Sequence, residues 1–162
     1  AFSEDGKKWT FERFRLNSSI SVLDPNVVRL EDGRYRLYFD EGFRDPFNRR
    51  NSGLLSAISS DGVNFKVEEG IRYDEPGMAD PKVLKMGEVY RLYYPSDEPG
   101  KIKTAISYDS GFTFKKESTL SIQNAGASFE IIPVEGSWRI YYNSLEGTSV
   151  AFSSDGLNWK FE

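Results

Sequence analysis

Asp80-Pro81-Lys82-Val83-Leu84-Lys85-Met86-Gly87-Glu88-Val89-Tyr90-Arg91-Leu92-Tyr93-Tyr94 is the stretch whose reading decides the fold. Asp80-Pro81 is a rigid lead-in, and Val83 and Leu84 open an apolar strand. Gly87 makes a turn, and residues 89–94 return as an alternating strand that carries aromatics. The stretch predicts a tight β-hairpin. It is written twice more in the chain. Asp24-Pro25-Asn26-Val27-Val28-Arg29-Leu30-Glu31-Asp32-Gly33-Arg34-Tyr35-Arg36-Leu37-Tyr38-Phe39 is the first copy. Ser128-Phe129-Glu130-Ile131-Ile132-Pro133-Val134-Glu135-Gly136-Ser137-Trp138-Arg139-Ile140-Tyr141-Tyr142 is the third.

A second unit recurs between the hairpins. It reads Ser3-Glu4-Asp5-Gly6-Lys7-Lys8-Trp9, Ser59-Ser60-Asp61-Gly62-Val63-Asn64-Phe65, Ser107-Tyr108-Asp109-Ser110-Gly111-Phe112-Thr113-Phe114 and Ser153-Ser154-Asp155-Gly156-Leu157-Asn158-Trp159. Each follows Ala-Phe or Ala-Ile. Ser and Asp side chains satisfy the backbone of a tight turn, Gly takes positive φ, and the aromatic tucks onto a sheet. We call this unit the turn box. Its aspartates, at 5, 61, 109 and 155, are 56, 48 and 46 residues apart. A repeat of that length with four short strands marks a propeller blade. No segment holds a helical period over ten residues.

The expected fold is therefore all-β and β-propeller-like, with three consecutive four-stranded antiparallel blades plus an N-terminal half-blade. The 162 residues form a single partial propeller domain, with the half-blade at 1–14 and the blades at 24–68, 80–116 and 128–162. Three blades leave an open arc with an exposed face, which is a liability for a monomer. A homo-oligomer completing the ring is expected, and a six-bladed dimer is its simplest closed form. The alternative is a parent protein carrying more blades. The chain starts at Ala1 without Met, as a processed or excised piece would.

Composition narrows the chemistry. The chain has no cysteine and no histidine, which excludes disulfides, thiolate metal sites and every Ser-His or Cys-His nucleophile. Acid–base chemistry near neutral pH falls to carboxylates, Tyr or Lys. A net charge of −4, with both signs interspersed, gives no nucleic-acid footprint. No apolar run is long enough to span a membrane, and the compartment stays open. Ten aromatics lie in the three hairpins, where sheet core and cross-strand pairing account for most of them.

In a propeller the innermost strand of each blade lines a central channel. Asp24 and Asp80 stand before the inner strands of consecutive blades, and Glu130 falls two residues past the equivalent place in the third. Three carboxylates facing one funnel suit glycoside hydrolysis. A plainer reading stays open for the two aspartates, because Asp-Pro before a strand initiates turns and caps amides. Glu130, inside an apolar run, is either on an exposed face or buried with a partner. The longest loop, 41–51, offers Phe43 and Phe47 to stack on a sugar and Arg44 and Arg49 to bind hydroxyls or an acidic substituent.

The three hairpins resemble the first three blades of the five-bladed β-propeller glycosidases: family 43 glycoside hydrolases, with the related families 32, 68 and 117. The resemblance implies a base or nucleophile at Asp24, an orienting and tuning carboxylate at Asp80, a general acid at Glu130, a carbohydrate ligand and no cofactor. Three departures stand out. Only three blades and a fragment are present. The channel histidine that often marks a family 43 metal cannot exist here, so no metal is expected. The Glu-Gly-Pro-like stretch usual around the acid is missing. Two other readings remain: a non-catalytic carbohydrate-binding or assembly propeller, and a sialidase-like propeller suggested by the turn boxes. The latter ranks last, since Arg44, Arg49 and Arg50 share one loop instead of three blades.

Overall fold

The structure is a computed structural model. It describes residues 1–162 except 12, 14, 18–21, 42–52, 76, 77, 124, 127, 146 and 162, together with the side chain of Glu41. Every regular element among the described residues is a strand. Strand β1 is Arg15–Leu16. The first blade is β2 (Val22–Arg29), β3 (Tyr35–Glu41), β4 (Leu54–Ser59) and β5 (Asn64–Val67). The second is β6 (Lys82–Met86), β7 (Val89–Pro95), β8 (Lys101–Ser107) and β9 (Lys115–Ser121). The third is β10 (Phe129–Val134), β11 (Ser137–Ser144), β12 (Gly147–Ser153) and β13 (Lys160–Phe161). Each blade is an antiparallel meander in chain order. This is the expected all-β propeller arc.

The quoted hairpins pair as their sequences require. Lys82 opposes Tyr93 and Met86 opposes Val89, leaving Gly87 and Glu88 as the turn. In the third copy both turn residues, Glu135 and Gly136, take positive φ, which matches the twist of a two-residue hairpin. The turn boxes close between the third and fourth strands. In the first blade, Ser59 Oγ donates to Asp61 Oδ1 at 2.8 Å, and the amides of Val63 and Asn64 donate to the same oxygen at 2.9 and 2.8 Å. Asp155 repeats these bonds in the third blade. The donated amides hold the carboxyls of Asp61 and Asp155 far below the ordinary carboxylate range.

Apolar side chains fill the spaces between blades. Tyr38, Leu92, Tyr94 and Phe114 belong to the cluster joining the first two blades, and Tyr93, Ile102, Ile131 and Ile140 to the one joining the second and third. A polar clamp accompanies each cluster. Arg36 on β3 forms a two-pronged ion pair with Glu68, at 2.7 and 3.0 Å, and donates its Nη1 to the carbonyl of Ser110 in the second blade's turn box. Two residues on, Tyr38 donates its hydroxyl to the Gly111 carbonyl at 2.8 Å. The second blade does the same to the third. Arg91 pairs with Glu117 and donates to Asp155 O at 2.8 Å, and Tyr93 donates to Gly156 O at 2.9 Å.

The N-terminal segment has two parts. Phe2 and Thr10 bond to each other both ways at 2.7 Å, closing a small hairpin around the first turn box. Beyond it, β1 lies parallel to β5, with Arg15 opposite Asn64, and makes the first sheet five-stranded. The repeat pattern did not signal this parallel pairing. It covers an outer strand edge that would otherwise present unpaired backbone groups.

Candidate functional site

The inner strands β2, β6 and β10 all start at one end of their sheets. Antiparallel alternation puts the β3–β4, β7–β8 and β11–β12 connections at that same end and the turn boxes at the opposite one. Asp24 lies within β2, Asp80 just before β6 and Glu130 second in β10, so the three candidates stand toward one end of their sheets.

Asp24 and Asp80 have the same backbone there, left-handed with φ 48°. A residue before proline favours extended backbone, and a side chain in the left-handed region is strained. Asp is among the residues that tolerate it best. At Asp24 this kink coincides with the irregularity in the β2–β3 pairing between Leu23 and Asn26. The two aspartates meet across the blade boundary, where the Asp80 amide donates to Asp24 Oδ2 at 3.3 Å. Burial first, and then the negative charge of Asp24, push the Asp80 carboxyl above its ordinary value, while Lys82 pulls the other way. Each side chain is half-buried.

Glu130 sits differently. Strand β10 alternates buried Phe129 and Ile131 with exposed Glu130 and Ile132. The Glu130 side chain is 57% exposed, and its Oε2 lies 3.4 Å from Lys82 Nζ. Phe129 and Ile131, which adjoin it in sequence, turn into the core instead. Counted along the hairpins, Asn26, Lys82 and Glu130 occupy one equivalent place. Asn26 reaches the second blade by accepting the Val83 amide at 2.9 Å, and Lys82 reaches the third through Glu130. The rim thus has two tiers: Asp24 with Asp80, and Asn26, Lys82 and Glu130. In the third hairpin the place matching Asp24 and Asp80 is held by Ser128, whose amide donates to Asn143 Oδ1 at 3.1 Å.

Phe43, Arg44, Phe47 and Arg49 lie outside the described residues. Lys82 is the rim residue that sequence reading passed over, although its place matches that of Glu130. A cleft of about 440 Å³ opens at the same end between the second and third blades, lined by Pro99, Gly100, Ala125, Gly126, Asn143 and Leu145. A β-carbon at Gly126 would collide with the Asn143 amide, so glycine lets that loop approach β11. Among the described residues, no group of three or more Asp or Glu is arranged to hold a metal ion. The rim offers a carboxylate pair in which one member holds its proton to higher pH, beside a Lys–Glu ion pair. Such a set can accept hydrogen bonds from hydroxyls and move protons.

Consecutive four-stranded antiparallel blades of this kind define a β-propeller fold. An exo-β-1,3-galactanase from Phanerochaete chrysosporium, solved with galactose, matches with a TM-score of 0.73 at 11% identity, over 88% of this chain and 38% of its own. A GH43 α-L-arabinofuranosidase from Clostridium thermocellum ATCC 27405 matches with a TM-score of 0.68 at 15% identity, over 93% and 53%. A family 117 glycoside hydrolase produced by the marine bacterium Zobellia galactanivorans gives 0.69 at 20% identity, over 96% and 60%. The chain spans between 38% and 60% of the length of these three structures. The likeness to family 43 and family 117 propellers is one of fold. No protein-family model matches the sequence, and no curated protein matches it.

Proposed function

We propose that this chain supplies the acidic inner rim of a carbohydrate site of the glycoside hydrolase type. The observation that carries the reading is the Asp24–Asp80 pair. Two equivalent carboxylates are held in strained backbone at a blade boundary, and one has its proton affinity raised by burial and by the other. Environments that separate two carboxyl groups in this way are how glycosidases divide acid and base roles. Asp24 serves as base or nucleophile, Asp80 tunes and orients it, and Glu130 protonates the leaving oxygen. Lys82, between Asp80 and Glu130, fixes the Glu130 side chain. Phe43 and Phe47 stack on the sugar, and Arg44 and Arg49 bind its hydroxyls. The site needs no cofactor, and a second copy of the chain closes the mouth.

One observation favours a second reading, binding without turnover. Glu130 is more than half exposed and paired with an ammonium, so it lacks the apolar enclosure that general acids of this type use. Aryl β-galactosides and α-L-arabinofuranosides, followed by phenol release, test the first reading, and calorimetry with β-1,3-linked galacto-oligosaccharides tests the second. Hydrolysis that falls about a hundredfold or more in Asp24→Asn and Glu130→Gln, with sugar affinity retained, supports the enzyme. Affinity without hydrolysis, weakened in Asp80→Asn, supports the binding module. Neither hydrolysis nor affinity overturns both.

A further inference from the structure

The cleft between the second and third blades has two walls and a floor. One wall is the β7–β8 connection with its flanking residues, 95–101. The other is the end of the β11–β12 hairpin, at Asn143 and Leu145. The floor is the segment that joins the two blades, at Ala125 and Gly126. A second hollow of about 310 Å³ lies along residues 95–101 and shares Pro99, Gly100, Ala125 and Gly126 with the first, so the two form one trough. Each half is within the range of about 300–1,000 Å³ that small-molecule clefts occupy.

Both walls lead back to the inner strands. Asn143 donates its amide to the Ser128 carbonyl at 3.2 Å and takes the Ser128 amide on Oδ1 at 3.1 Å. Ser128 holds the third hairpin's counterpart of Asp24 and Asp80, two residues before Glu130. On the facing wall, β7 carries Tyr93 opposite Lys82 and ends at Pro95. One wall thus continues from Glu130 and the other from Lys82, the two residues that pair across this blade boundary.

The backbone of the floor is already satisfied. Gly100 donates to the Ala125 carbonyl at 3.1 Å and accepts the Ile122 amide at 2.9 Å, and Gly126 donates to the Asn143 carbonyl at 2.8 Å. The surface left to a ligand is apolar at Pro99 and at Leu145, which is 98% exposed. It is polar at three side chains. Asn143 Nδ2 donates to no group among the described residues, and the exposed carboxylates of Asp97 and Glu98 accept no hydrogen bond among them. Lys101, the cation of the lining, donates to Ser121 Oγ at 2.6 Å. Apolar patches for C–H faces, one amide donor, two acceptors and a net negative lining suit a neutral, hydroxyl-rich chain and repel an anionic one.

We propose that this trough holds the continuing units of a neutral oligosaccharide, one ring of which sits at Asp24 and Asp80. The assignment rests on the sugar site proposed above and extends it outward between the second and third blades. Pro99 and Leu145 pack against ring C–H faces, Asn143 Nδ2 donates to a hydroxyl oxygen, and Asp97 and Glu98 accept hydrogen bonds from hydroxyls. The same two carboxylates turn away chains that carry carboxylate or sulfate groups. A chain of several units therefore binds better than a single sugar.

Amide NMR of the ¹⁵N-labelled 162-residue chain, titrated with galactose, with a β-1,3-linked galactotriose and with trigalacturonate, tests this. Galactose should shift the amides of Asp24 and Asp80. Galactotriose should shift those and also the amides of Gly100, Gly126 and Leu145, and should bind about tenfold more tightly. Trigalacturonate should leave the three trough amides unmoved. Leu145→Ala, at an exposed hairpin end, should lower the galactotriose-to-galactose affinity ratio about threefold or more through lost apolar cover. Galactotriose that shifts Asp24 and Asp80 but none of the trough amides overturns the proposal and leaves the inner sugar site standing. Trough shifts with Asp24 and Asp80 silent overturn the inner site, and with it the continuity proposed here. Silence at both overturns both. A ratio indifferent to Leu145→Ala, or trigalacturonate bound in the trough as tightly as galactotriose, also overturns the proposal.

Discussion

Tyrosine-to-phenylalanine substitution at positions 38, 93 and 141 applies one chemical change to three copies of one site, of which two are engaged. In the Tyr93→Phe chain the Gly156 carbonyl loses its 2.9 Å donor inside a buried contact, and Tyr38→Phe does the same to Gly111. A buried acceptor left without its partner costs about 1–2 kcal/mol. With a urea m-value of about 2 kcal/mol/M for a chain of this size, each midpoint should fall by about 0.5–1 M. The two tyrosines serve different blade boundaries, so the double variant should lose the sum to within about 0.5 kcal/mol. Tyr141→Phe removes a hydroxyl with no protein partner among the described residues and should stay within about 0.5 kcal/mol of the parent. Equilibrium urea unfolding followed by tryptophan fluorescence reads all four, at dilutions where sedimentation gives one chain. A Tyr141→Phe loss as large as the other two, or no loss at both Tyr38 and Tyr93, would refute the clamp as a source of stability.

Arg91→Ala should be far more costly than Arg34→Ala. It leaves Glu117, with a side chain 16% exposed, without its partner, and removal of one member of such a buried pair costs about 3–5 kcal/mol. Arg34 pairs with Asp32 on the exposed surface and its loss should leave the thermal midpoint nearly unchanged, so equal shifts would contradict the assignment. Asp80→Asn should stabilise the fold at neutral pH. A carboxyl whose folded pKa is raised contributes stability when protonated and loses it as pH rises through that value, so the gain should be present at pH 7 and vanish toward pH 4. Asp61 and Asp155 act in the opposite sense, since their depressed values favour the fold above about pH 4 and release that contribution as pH falls. Unfolding midpoints measured across pH 3–8 for the parent and Asp80→Asn would show whether the signs hold.

The blades were legible because each element carries its own local signal. Glycine and proline bracket the hairpins, Ser and Asp close the boxes, and the aromatics mark the return strands. What local signals could not carry was pairing between blades. The Arg-x-Tyr triplets at 36, 91 and 139 were visible, and so were Glu68 and Glu117, seven and eight residues past their box aspartates. Glu12 and Glu162 stand seven past theirs and lie outside the described residues. Only the fold shows that Arg36 and Glu68 meet and that the free guanidinium nitrogen reads the next blade. Order along the chain aligned Asp24, Asp80 and Glu130, but side-chain alternation on β10 decides where Glu130 points. With Phe129 and Ile131 claimed by the core, the residue between them faces out and finds Lys82. The left-handed backbone at Asp24 and Asp80 had no sequence signal beyond the residue type, because the following proline argues against it.

The clamps recognise main-chain carbonyls: Ser110 and Gly111 in one case, Asp155 and Gly156 in the other. A carbonyl is the same whatever side chain stands at the Ser110 or Asp155 position, whereas Gly111 and Gly156 are needed because a β-carbon there would meet the Tyr38 or Tyr93 hydroxyl. Substitutions in the variable positions of a box then require no matching change across the boundary. A duplicated blade that kept the glycine and its apolar face would present the same contacts as its parent. Under such a rule the length of a propeller is free to change by whole blades, and the number that persists is set by the angle through which each one turns.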